Sequence, residues 1–184
     1  MKYDKIAFFD LEMCCWENSK KIGEIIEIGL TLVDVNTKEI VKTAQYYVKP
    51  EKDEIVPYCT NITGITPQII KKQGRPLQEV LKTMVKNFGG QQRVYCAWGR
   101  DDTVLFNECI QKNIDIPFYE FLNLGTVYRL KYNTSNSATS LQDTLELHNI
   151  EFEGKAHSGL VDSYNLAKLY LALFSWGFLW KFKN

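Results

Sequence analysis

Asp10 and Glu12 stand two residues apart in an otherwise apolar run, Ile6-Ala7-Phe8-Phe9-Asp10-Leu11-Glu12-Met13. In a strand, residues i and i+2 share a face, so both carboxylates project together. Burying them without partners is costly, and two like charges side by side repel. A bound divalent cation answers both problems. A lone Asp-x-Glu pair is equally compatible with an exposed strand end, so the assignment depends on further acids.

Two segments supply them. In Ala97-Trp98-Gly99-Arg100-Asp101-Asp102-Thr103, an apolar strand ends in Trp-Gly and acids follow where a helix begins. Acids in a first turn also complement the helix dipole, a role open to Asp101. In His157-Ser158-Gly159-Leu160-Val161-Asp162, Asp162 lies on a helix whose surrounding positions are apolar, an uncomfortable place for an unpaired carboxylate. Five residues on a helix turn through about 500°, so His157 and Asp162 do not share a helix face. The spacing therefore predicts His157 in the loop or cap before the helix, with Asp162 facing inward.

The elements that must position these residues read as follows. A strand through Asp10 and Glu12 is followed by a loop, a strand over 25–33, a polar turn and a strand over 40–48, an antiparallel meander. Residues 55–76, punctuated by Pro57, Gly64, Pro67, Gly74 and Pro76, are expected to be loop-rich. Leu77, Val80, Leu81, Met84, Val85 and Phe88 recur at helical spacing. A short strand over 93–97 and a helix over 102–112 come next, then a less regular stretch over 117–132 that includes a helix. Ser140 is placed to cap a helix over 141–148, with a last helix over 159–174. His148, at a helix C-terminus, is read as a dipole partner, without a catalytic role. The order implies one mixed α/β domain, with helices flanking a sheet. Its core covers about 5–174, and an aromatic tail covers 175–184. We expect the tail to pack back on the domain; the alternative is a dimer or targeting-partner surface.

Composition excludes several classes. With 45% hydrophobic and 24% charged residues, the chain fits an ordinary globular protein. Its formal net charge of zero excludes a broad cationic surface as the basis of nucleic-acid binding. The five cysteines show no C-x-x-C spacing, which argues against a disulfide framework and a structural zinc site. They are read as reduced thiols of a cytoplasmic protein. No signal-peptide pattern opens the sequence, and no run of about 18 apolar residues could span a membrane.

Taken together, these residues resemble the DEDDh branch of the DnaQ-like 3′-to-5′ exonucleases, within the ribonuclease H-like superfamily. Phe9-Asp10-Leu11-Glu12-Met13, Trp98-Gly99-x-x-Asp102 and His157-x-x-x-x-Asp162 match its three motifs in order. Gly23 to Gly29 resembles its second strand, and Cys59 to Thr66 its loop at the 3′-terminal nucleotide. The wording is most similar to the Eri-type and KapD-like subgroup. The resemblance implies a ribonuclease H-like mixed sheet of about five strands flanked by helices. It implies that Asp10, Glu12, Asp102 and Asp162 hold two Mg²⁺ or Mn²⁺ ions, with His157 as general base. Hard oxygen ligands suit those ions, and an imidazole titrates near neutral pH. The spacing selects Asp102 as the motif acid and leaves Asp101 beside it.

The implied activity removes nucleoside 5′-monophosphates from single-stranded 3′ ends. RNA is favoured by the subgroup. The alternatives are a DNA proofreading or repair exonuclease and a noncatalytic nucleic-acid-binding protein that keeps the fold. Thr63, Gly64 and Ile65 are expected under the terminal nucleotide, Met13 at its sugar or base, and Trp98 at the flank of the pocket, where an aromatic ring can stack on a base.

Overall fold

The computed structural model describes residues 3–132 and 140–175. The polar stretch 133–139 and the tail expected at Trp176 to Trp180 lie outside the described residues. Five strands form one sheet: β1 (Lys5–Met13), β2 (Ile25–Asp34), β3 (Glu39–Tyr47), β4 (Val94–Ala97) and β5 (Phe121–Asn123), in the order β3-β2-β1-β4-β5. The meander β1–β2–β3 is antiparallel, whereas β1–β4 and β4–β5 pair in parallel. The central strand β1 therefore has an antiparallel neighbour on one side and a parallel one on the other. Chain connections part at such a switch, and α/β folds commonly bind ligands beyond the carboxyl ends of strands there.

Alternation along β1 sorts the two faces. Ala7, Phe9 and Leu11 pack with Leu77, Val80, Leu81, Met84 and Phe88 of α3 (Leu77–Phe88). Phe8 points the other way and packs with Leu166, Ala167 and Tyr170 of α7 (Gly159–Leu173). Asp10 and Glu12 follow Phe8 in the alternation, so they lie on the α7 face where the core gives way to solvent.

The helix α7 approaches the sheet closely because the contact is built from small residues. A Cβ on Gly29 would overlap the backbone of Gly159 and Leu160. One turn on, Ser163 Oγ meets Thr31 Oγ1 at 3.2 Å, and both residues are fully buried.

The stretch 55–76 is more ordered than its Pro and Gly content suggested. It folds into two short helices, α1 (Pro57–Thr63) and α2 (Pro67–Gln73). Each starts with proline at its first position, where the missing N–H costs nothing. Glycine follows each C-terminus, and Gly64 takes a left-handed conformation, φ 77°. The three-residue β5 is likewise absent from the sequence reading. It is followed by α5 (Leu124–Tyr132) and α6 (Leu141–Leu147), the latter capped by Ser140 Oγ accepting the Asp143 N–H at 3.0 Å. Between β4 and β5 runs α4 (Asp101–Gln111). Among the described residues no helix is long and apolar enough to cross a membrane.

Candidate active site

Three of the acids singled out from the sequence converge. Asp10 and Glu12 come from the C-terminal end of β1, just before a register shift between Glu12 and Met13. Asp162 comes from the first turn of α7. Each offers a carboxylate oxygen, and these oxygens lie within 4.8 Å of one another. Glu12 is buried, whereas Asp10 and Asp162 are partly open to solvent.

The cluster is electrostatically unfavourable without a cation. Loss of hydration pushes the Glu12 carboxyl up to about 8, and the nearby charges of Glu27, Asp162 and Asp101 push in the same direction. Asp10 is held well above the ordinary carboxylate range by desolvation and then by Asp101, Asp162, Glu12 and Glu27. Burial also raises Asp162, partly offset by the backbone N–H of His157. Crowded oxygen donors of one sign are the donor set that a hard divalent cation requires.

The two acids at the start of α4 divide. Asp101 is turned inward and is the neighbouring charge that most raises Asp10. Burial raises its own carboxyl to about 6, opposed by backbone N–H groups that include those of Leu11 and Gly99. The last β1–β4 pair is Phe8 with Cys96, so the Asp101 carboxyl lies between the end of β1 and the turn after β4, where the ladder has stopped. Asp102 does not enter the three-acid cluster. Its Oδ1 lies 3.4 Å from Arg100 Nε and 3.4 Å from Thr103 Oγ1, contacts too long to hold it firmly.

His157 sits before α7, which begins after Ser158. Its backbone is left-handed, φ 62°, uncommon for a residue with a side chain and typical of places where local geometry overrides preference. The override here is a hydrogen bond: His157 N–H donates to Asp162 Oδ2 at 2.8 Å. The same carboxylate that joins Asp10 and Glu12 thus fixes the backbone of the histidine, whose side chain is exposed.

The residues expected at the nucleotide divide by exposure. Gly64 is open to solvent. Thr63 is turned inward, with its Oγ1 donating to Cys59 O at 2.9 Å and accepting the Ile65 N–H at 3.1 Å. Ile65 is buried with Cys14, Ile26, Cys59 and Ile70, so these two side chains support the Gly64 turn from beneath. Trp98 is partly buried, 5.7 Å from the Tyr128 ring. Met13 is partly buried against the α3-side core.

Two residues of this region escaped the sequence reading. Lys155 brings its Nζ to 3.9 Å from where a Cβ on Gly64 would lie, placing a cation across from that turn. Glu27 on β2 pairs opposite Glu12 and is 1% exposed. The signal for Glu27 was present: a lone acid inside Ile25-Ile26-Glu27-Ile28 is the same oddity that singled out Asp10.

Fold and site together define a class: a ribonuclease H-like α/β sheet with an acidic cluster at the carboxyl end of its central strand. The chain belongs to the exonuclease family, whose model matches residues 7–170, and its similarities lie in the DEDDh, Eri-type branch. It is 31% identical to the 3′-5′ exoribonuclease 1 of Mus musculus, over 91% of this chain and 52% of that protein. It is 28% identical to the 3′-5′ exonuclease Snipper of Drosophila melanogaster, over 91% of this chain and 68% of that protein. The chain spans about half the length of several curated relatives it matches. Among solved structures it superimposes on the nuclease domain of 3′hExo, a DEDDh family member bound to rAMP. The TM-score is 0.85 at 29% identity, covering 95% of this chain and 94% of that one. Exonuclease I, at 18% identity and TM-score 0.72, covering 91% of this chain and 40% of that one, shares the fold.

Proposed function

We propose that this chain is a metal-dependent 3′-to-5′ exonuclease domain that hydrolyses the terminal phosphodiester of single-stranded RNA and releases nucleoside 5′-monophosphates. The observation that carries this is the convergence of Asp10, Glu12 and Asp162 within 4.8 Å, with His157 tied to Asp162. The RNA preference is supported by the relatives named exoribonucleases and by the rAMP-bound neighbour.

Asp10, Glu12, Asp162 and Asp102 hold two Mg²⁺ or Mn²⁺ ions in this reading. When bound, such ions supply the positive charge that activates a water and stabilises the leaving 3′-oxygen. Asp102 is taken as the fourth carboxylate on its motif spacing alone, while Asp101 is the α4 acid whose charge acts on Asp10 and Glu12. His157 removes the proton of the attacking water, and its exposure lets the proton pass to solvent. Gly64 gives the terminal nucleotide close access to backbone, Trp98 flanks it, and Lys155 faces a phosphate.

The test is a 3′-end degradation assay on single-stranded, duplex and overhanging RNA and DNA, with Mg²⁺, Mn²⁺ or EDTA. Stepwise shortening of single-stranded RNA that stops in EDTA is expected, with a severe rate loss for His157→Ala. Faster trimming of matched DNA would reassign the substrate. Binding without trimming across the whole panel would overturn the enzymatic reading.

A further inference from the structure

We propose that Glu27 is a positioning residue whose carboxylate sets the distance between α7 and the central strand, and through it the placement of Asp162 and His157. The proposal rests on the metal-site reading above. Its structural part can be tested without that reading.

The helix α7 begins in an unusual way. Ser158 stands at its N-cap, yet its side chain makes no capping hydrogen bond. The first amides of the helix are satisfied from the sheet instead. Glu27 Oε1 accepts the Leu160 N–H at 3.0 Å, and the Gly159 N–H also faces the Glu27 carboxylate. Gln45 Nε2 on β3 donates to the same oxygen at 3.1 Å and holds it from the other side. An anionic oxygen at a helix N-terminus matches both the unpaired amides and the helix dipole. Here it comes from a strand, so the cap also docks the helix.

The surrounding backbone leaves little room for another arrangement. A Cβ on Gly159 would come within 2.9 Å of Gly29 N, 3.0 Å of Asp10 O and 3.1 Å of Glu27 Oε1. Gly159 is thus pressed among the partner strand, the metal-site strand and the clamping carboxylate. Three residues later Asp162 reaches Asp10 and Glu12, and its Oδ2 holds the His157 N–H. Glu27 itself is not among the three acids whose oxygens converge. Its Oε1 is taken up by the Leu160 N–H and by Gln45, so its contribution is the position of an acceptor atom, not a bond to the ion.

This distinction separates two substitutions. Glu27→Gln keeps a carbonyl oxygen at the end of a chain of the same length. Glu27→Asp keeps the charge but withdraws the acceptor by one methylene. Amide exchange of Gly159 and Leu160, followed by NMR, reports the clamp directly, and Mn²⁺ titration followed by electron paramagnetic resonance reports the metal site. We expect Glu27→Gln to stay near wild type in both. Glu27→Asp and Glu27→Ala should speed exchange of those two amides and weaken Mn²⁺ binding by about tenfold or more, the effect typical of groups that orient metal ligands. In turnover, kcat should fall while the KM for an oligonucleotide changes little. The reverse order, with Gln impaired and Asp intact, would make charge or ligation the role and overturn the proposal. Unchanged exchange in Glu27→Asp would overturn it equally, and this contrast holds even where Glu27→Ala does not fold. If wild-type protein binds no Mn²⁺ and trims no 3′ end, the metal-site reading fails while the exchange result still judges the clamp.

Discussion

At the scale of single residues, the site is a set of carboxylates that repel one another and are held together by the fold. Removing one relieves repulsion and, in the metal-site reading, deletes a ligand. Asp162→Ala is therefore expected to abolish hydrolysis while shifting the thermal midpoint of the metal-free protein by no more than a few degrees, because the lost His157 N–H bond offsets the relief. Residual turnover near wild type would remove Asp162 from the site. The α4 acids give a sharper contrast. Asp102→Asn should reduce activity by about a hundredfold or more with little change in stability. Asp101→Asn should instead lower stability by about 1 kcal/mol, since it weakens acceptors of the Leu11 and Gly99 N–H groups; the opposite pattern would make Asp101 the ligand. Asp10 and Glu12 were legible in the sequence because strand alternation is a strict period of two. Asp101 and Asp102 were harder to separate because one residue at a helix start turns a side chain by about 100°. Glu27 shows in the sequence as a lone acid in an apolar strand, but its role does not, because the amides it faces lie 132 and 133 residues away in the chain.

At the scale of elements, the decisive contact is the seam between α7 and β2. Gly29 and Gly159 are needed for proximity, since neither has a positive φ that would demand glycine. Gly159→Ala should force α7 outward. We expect a destabilisation of about 1–3 kcal/mol, the usual range for overpacking a tight contact, measured by urea unfolding. Metal affinity should weaken in the same variant, because Asp162 moves with the helix. A Gly159→Ala protein with unchanged stability and Mn²⁺ binding would show that the seam does not set the site. Helical spacing revealed α3, and Ser140 marked the start of α6. What sequence reading lost were short elements: α1 and α2 hide behind the prolines and glycines that delimit them, and β5 is three residues placed by pairing with β4. Such segments carry too few residues for a period to show, and their neighbours in space decide their structure.

For the whole molecule, the same acids make stability depend on pH in a direction opposite to the common one. Glu12 has an ordinary value of 4.5 and is raised to about 8 in the fold, and Asp10, Glu27 and Asp162 are shifted upward as well. In this range the folded protein binds more protons than the unfolded chain, so unfolding becomes easier as pH rises. At the acid end Glu24 works the other way. Although desolvation opposes the shift, Lys112 and the amides of residues 51–53 hold its carboxyl down at about 2, so its contribution is present above 4.5 and is lost as pH falls. The metal-free protein should therefore be most stable near pH 5 and should lose stability steadily toward pH 8. Added Mg²⁺ or Mn²⁺ reverses the upper limb, because ions bind the deprotonated carboxylates and stabilise the fold by mass action. Thermal midpoints measured from pH 4.5 to 8.5, in EDTA and in saturating Mn²⁺, should separate progressively as pH rises. Parallel curves, or a metal-free midpoint that climbs from pH 5 to 8, would mean that the raised acids of the cluster do not govern the stability of this protein.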